Sequence, residues 1–140
     1  MNIPDLLYPL CTMVFLTLAV TLYLATANSL AVLTEKVHIK HLRLFNTEKV
    51  PENLTTISQH YKNLYELPIL FYVWILTLLI LGNWTQTDVY LAWAFVGSRF
   101  IHSLIRIPNK QVHFRFYVFL TGFGIMVFCW IRFFMNYVLC

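Results

Sequence analysis

Apolar positions run through this chain in long unbroken stretches, without the strict alternation of barrel strands. Residues 6–34 hold no Asp, Glu, Lys or Arg across 29 positions, and residues 67–87 hold none across 21. Residues 89–107 add 19 positions interrupted by Arg99 and Arg106, and residues 116–131 add 16 before Arg132 and an apolar run to Cys140. About 20 apolar residues of helix cross the hydrocarbon of a bilayer. The pattern predicts a single all-α domain over 1–140, a four-transmembrane-helix bundle with helices roughly at 6–33, 64–84, 89–107 and 114–138. Barrel strands fit poorly, because the runs are about twice the length of a strand and do not alternate. The first run reads as a span and not as a cleaved signal: it is long, Asp5 stands at its start, and no small-x-small cleavage site follows.

Helix punctuation refines the second span. Thr56 followed by Gln59 matches a capping box with Pro51 behind it as a breaker, so a helix is expected from about residue 55, its first turns outside the span. Pro68 should kink it. On the first helix Thr21, Ala25 and Ser29 form a small-xxx-small stripe suited to close packing. The four tryptophans read as belt or packing residues.

Composition closes off other classes. Hydrophobic residues make up 59% of the chain and charged ones 11%, against about 25% charged in a soluble domain. A soluble enzyme, a disordered chain and a nucleic-acid partner are all disfavoured. Cys11, Cys129 and Cys140 are too few and too far apart for a disulfide framework or a metal site. The triplets beginning at Asn53 and Asn83 match the glycosylation pattern but carry little weight, since Asn83 lies close to the bilayer.

Charge placement gives an orientation. Lys36, Lys40, Arg43, Lys49 and Lys62 fall in or beside the first loop, and Arg106, Lys110 and Arg115 in or beside the third. The second loop and the N-terminal stub have no basic residue. Positive-inside bias then places loops one and three in the cytoplasm and both termini on the other side.

A few polar residues sit where apolar ones would cost less. Gln59, Asn63 and Glu66 share a face of the second helix, and Arg99, His102 and Arg106 share a face of the third. An arginine deep in a span costs roughly 2.5–3.5 kcal/mol on insertion scales unless it is paired or lines a wet cavity. Two readings are open: a structural Glu66–Arg99 pair, or a pocket for an anionic ligand that also uses His102, Arg106 and Arg115.

These residues carry a resemblance. Asn63-Leu-Tyr-Glu66-Leu-Pro68-Ile-Leu-Phe71 is similar to the second-helix signature of the MAPEG family, the membrane-associated proteins in eicosanoid and glutathione metabolism. Ala92-Trp-Ala-Phe-Val-Gly-Ser-Arg99-Phe-Ile-His102 resembles the third helix of that family, and Arg115 stands where it has an arginine opening helix four. The resemblance implies a homotrimer with glutathione bound as co-substrate between subunits near the cytoplasmic side. Carried over by position, Asn63, Glu66, Arg99 and His102 would line the site, with Lys62 and Arg106 beside them as further binding residues and Arg115 facing the thiol as the catalytic residue. The chain departs from the family where Gln59 replaces an arginine, where Ala27-Asn28-Ser29 lacks another, where Arg106 replaces a tyrosine, and where Phe116 replaces a serine of the prostaglandin-forming branch. The resemblance implies a glutathione transferase or peroxidase acting on a hydrophobic small molecule that enters from the membrane lipids. The alternatives are a non-catalytic lipid-binding or scaffold member and, outside the family, a small helical subunit whose Arg99–Glu66 pair is purely structural.

The loop charges generate one test. A membrane-impermeant thiol reagent applied to intact cells should label Cys140 and leave an introduced Lys40→Cys unlabelled; the reverse pattern overturns the orientation.

Overall fold

The structure, a computed structural model, describes residues 3–33, 52–106 and 112–137; within them the side chains at 24, 27, 28, 31, 32, 52–66, 106, 112 and 115 lie outside the description. Four helices result: α1 (Pro4–Leu33), α2 (Glu52–Leu81), α3 (Gln86–Arg106) and α4 (Val112–Tyr137). There is no strand among the described residues. The four apolar runs therefore fold as four helices.

Their ends have local causes. Pro4 occupies the first helical position of α1, where a missing N–H is harmless, and the Ile3 carbonyl accepts from the N–H groups of Leu6 and Leu7 at 3.3 and 3.4 Å. α2 begins at Glu52, ahead of the start expected near residue 55, so Thr56 and Gln59 are interior and form no helix start. A proline stops a helix from extending back through it but does not delay one that begins just behind it. The other end also differs from expectation. α2 stops at Leu81 because Gly82 takes the left-handed conformation, φ 65°, and returns its N–H to the Leu78 carbonyl at 3.1 Å. Only a residue without Cβ adopts that conformation freely. Between these ends α2 continues through Pro68.

α3 starts earlier than the apolar run suggests, because a polar cap precedes it. The Thr85 N–H donates to Asp88 Oδ2 at 2.8 Å, and the Thr85 hydroxyl donates to the same oxygen at 2.7 Å. This is the reciprocal half of a capping box, with an aspartate in the acidic position.

α1 packs on α2 and α3, and α4 packs on α3 and α2, so the consecutive pair α2 and α3 makes few direct contacts. They do meet at the centre. Phe71 and Phe95 stack with centroids 4.8 Å apart and planes 17° from parallel. Met13, Trp74, Ile75 and Met126 close the core around them. The Thr17 and Tyr72 hydroxyls, 3.1 Å apart, join α1 to α2.

The outer surface is as apolar as the core. Phe15 is 74% exposed and Ile80 84%, and Pro4–Tyr23 and Phe116–Tyr137 are each long and apolar enough to cross a bilayer. The small-residue stripe also belongs to this outer surface: Ala25 and Ser29 are exposed and Thr21 is half-buried. The Ser29 hydroxyl is satisfied within α1, donating to the Ala25 carbonyl at 2.9 Å, as hydroxyls in apolar helices commonly are.

In lipid, apolar surface gives helices little reason to associate, and polar contacts between them matter more. One such contact escaped the sequence reading, which treated Asp88 and Arg132 only as breaks in apolar runs. Arg132 reaches from α4 to the cap of α3: its Nε donates to Asp88 Oδ1 at 3.1 Å and its Nη2 to the Thr85 hydroxyl at 2.8 Å. The Asp88 carboxylate thus holds the start of α3 and fastens it to α4. Asp88→Asn and Arg132→Gln should each lower stability by about 2 kcal/mol, the range of a charge-assisted hydrogen bond. Thermal melts of the double variant should show clearly less than the sum; full additivity would show that the two groups act independently.

Candidate functional site

The polar residues of α3 collect on its inner face. Arg99, His102 and Ser103, at i, i+3 and i+4, are exposed by no more than 3% each. Arg99 turns toward α4. Its Nη2 donates to the Phe119 carbonyl at 3.3 Å, and its guanidinium carbon lies 5.3 Å from the Phe95 ring centre and 5.6 Å from that of Phe119. Both distances are within reach of a cation–π attraction, which strengthens when water is excluded.

Gly122 makes room for this arrangement. A Cβ there would lie 2.8 Å from the guanidinium carbon and from the Ser98 hydroxyl, and would overlap Arg99 Nη2 outright. Ser98 has its own partner, the Phe95 carbonyl at 2.7 Å. The His102 ring tilts against Phe119, centroids 6.3 Å apart, so one phenylalanine touches both the arginine and the histidine. Arg99 Nε and Ser103 Oγ, one turn apart, are buried without a hydrogen-bond partner among the described residues. Two polar atoms on one helix face thus retain capacity for an acceptor.

The backbone places the remaining sequence-predicted residues at the same end. The Phe71–Phe95 stack sets the relative depth of α2 and α3. From it, Glu66 is about 7.5 Å along α2 and Arg99 about 6 Å along α3, while Asn63 and His102 lie roughly 12 and 10 Å away, at 1.5 Å per residue. Lys62 and Arg106 follow at the same end, on α2 and α3. On α4, Arg115 stands one turn beyond Phe119 on the same face. The side chains of Lys62, Asn63, Glu66, Arg106 and Arg115 lie outside the described residues, as does any pairing of Glu66 with Arg99. Among the described residues no group of three His, Cys, Asp or Glu is placed to hold a metal.

Seven polar or charged positions thus lie toward one end of an apolar four-helix bundle, and a family model matches nearly the whole chain. The MAPEG family model covers residues 7–135. The chain belongs to the MAPEG family. Comparisons with curated proteins and with solved structures gave no match. As a member of a helical membrane family, this MAPEG protein is an integral membrane protein, and its exposed apolar side chains are suited to lipid. The family is one of glutathione and eicosanoid metabolism.

Gly122, Ser103 and the Phe119 carbonyl were not found from the sequence. A backbone acceptor has no residue signature, and a single glycine in an apolar helix resembles any other. Ser103, one turn after Arg99, could have been noticed by its spacing.

The matched depths of Glu66 and Arg99 generate a test of their pairing. If the two meet, Glu66→Gln and Arg99→Gln should each destabilise the protein by roughly 3–5 kcal/mol, because each strands a buried charge. The double variant should then regain part of the loss in thermal melts. Additive losses would separate the two residues.

Proposed function

We propose that this MAPEG protein binds glutathione at the basic end of the bundle and presents its thiolate to lipophilic electrophiles, as a glutathione transferase or peroxidase. What supports the reading is that Lys62, Asn63, Glu66, Arg99, His102, Arg106 and Arg115 occupy backbone positions toward one end of an otherwise apolar bundle. Lys62 and Arg106 suit the glutathione carboxylates, and Asn63 and Glu66 suit its amide and amine. His102 borders them, and Arg99 contributes positive potential from behind, its guanidinium committed mainly to α4. Arg115 faces the sulfur. A free thiol titrates near 8.5, and an adjacent guanidinium lowers that value enough to supply the nucleophile at neutral pH.

The electrophile enters from the bilayer, where Phe116 and Tyr117 present exposed rings at this end. In the transferase reaction the thiolate sulfur bonds to the electrophilic carbon as the displaced group leaves with the electron pair of the bond that breaks. With a hydroperoxide it takes one oxygen as the O–O bond breaks, the alkoxide leaves, and a second glutathione reduces the resulting sulfenic acid to give the disulfide and water. The basic loops face the cytoplasm, which also supplies the glutathione. The working unit is a homotrimer with the site between neighbouring chains, a proposal supported by family membership and by the outward small-residue face of α1.

A second reading is favoured at two places in the sequence. Gln59 and the Ala27-Asn28-Ser29 segment lack cations that the resemblance would place there, which suits a member that binds lipid without chemistry. Calorimetric titration of detergent-purified protein with glutathione separates the two. In Arg115→Ala the thiolate absorbance of bound glutathione at neutral pH should vanish while weak binding persists. Turnover of an aromatic electrophile should fall by a factor on the order of 10²–10³, the usual loss of one preorganised charge stabiliser. Wild-type protein with neither thiolate signal nor turnover would replace the enzyme reading with the lipid-binding one.

A further inference from the structure

We infer that Gly122 is a positioning residue: its missing side chain lets the Arg99 guanidinium dock on α4, and that dock sets where Arg115 stands. The inference rests on the proposed role of Arg115 for its functional part, and on packing alone for its structural part.

The four glycines are not equivalent. A Cβ at Gly82, Gly97 or Gly124 would meet nothing within 4 Å, whereas one at Gly122 would collide with the guanidinium and crowd the Ser98 hydroxyl. The Arg99 head has little freedom to step aside. It lies over the faces of Phe95 and Phe119, bonds to the Phe119 carbonyl, and is 1% exposed. A methyl group at position 122 therefore forces one of two changes. Either the guanidinium leaves its seat and drops the Phe119 carbonyl, or α3 and α4 separate at this level. Both alter how Phe119 sits against α3.

Phe119 is the link to the chemistry. It lies one turn from Arg115 on the same face of α4, so a displacement at Phe119 is carried along a rigid helix to the residue assigned to the thiol. Reacting groups tolerate little misplacement; a shift of about 1 Å can cost on the order of 100-fold in rate. Arg99 then acts through the backbone of α4 and needs no direct contact with ligand to influence the reaction.

The test has two arms on the full-length chain. Pulsed electron-spin distances are measured between labels at Leu104 and Phe116, both more than half exposed, with the three native cysteines replaced. Gly122→Ala should shift or broaden the distance distribution, and Gly122→Ala with Arg99→Lys should move it back, because a slim ammonium leaves room for the methyl. An unchanged distribution in Gly122→Ala overturns the inference. If Gly122→Ala does not fold, Gly122→Ala with Arg99→Lys, where the slimmer ammonium leaves room for the methyl, must fold and give the wild-type distance; a double variant that also fails to fold overturns it.

The second arm reads function. In Gly122→Ala the thiolate absorbance of bound glutathione should fall and kcat drop on the order of 10–100-fold, with KM and glutathione affinity within a few-fold of wild type. Lost affinity with retained thiolate signal would make the effect one of binding and sink the positioning role. Wild-type protein without any thiolate signal would refute the proposed function, while the distance arm would still decide the dock.

Discussion

A guanidinium buried in an apolar bundle must find every partner inside the protein, and that requirement shapes the region around Arg99. Water is not available to solvate it, so the charge is costly unless the surrounding groups answer it. Here two aromatic faces, a backbone carbonyl and the space left by a glycine answer it in part, while Nε has no hydrogen-bond partner among the described residues. All of them lie on α3 or α4. The same two helices are joined again at their other end through Asp88, Thr85 and Arg132. Two polar fastenings on one antiparallel pair leave little freedom for sliding.

The other half of the bundle is held differently. α1 and α2 are linked by the Thr17 and Tyr72 hydroxyls. The Phe71–Phe95 stack connects α2 to α3 through dispersion and shape. Neutral contacts of this kind are weaker and less directional than the charged ones between α3 and α4. The proposed glutathione site draws residues from both halves, Lys62, Asn63 and Glu66 from α2 and the others from the doubly fastened pair. A ligand there would bridge α2 and the α3–α4 pair.

Much of this was legible in the sequence because the signals were gross. Long runs of apolar residues with few charges predicted four helices, and Arg99 within the third marked the place where packing needed explanation. The MAPEG motifs on the second and third helices were readable as residue identities at fixed spacing. Less visible were features carried by backbone atoms or by absence. The Phe119 carbonyl has no residue signature, and Gly122 matters only because Arg99 arrives opposite it from another helix. The cap at Thr85 and Asp88 could have been read as a Thr-x-x-Asp pattern. The equivalent pattern at Thr56 and Gln59 was read and proved interior to α2, since a capping motif is informative only where the chain before it is not already helical.

The two fastenings also constrain length. Arg99 stands eleven positions after Asp88 on α3, and Arg132 thirteen after Phe119 on α4, or about 16.5 and 19.5 Å of helix. One residue inserted between Asp88 and Arg99 would rotate everything after it by about 100°. With the cap still clasped, Arg99 would swing away from its seat beside Gly122. A deletion would swing it the opposite way. The number of residues in this segment is therefore under the same restraint as their identity: a frame that tolerates exchanges of apolar side chains tolerates no change of count.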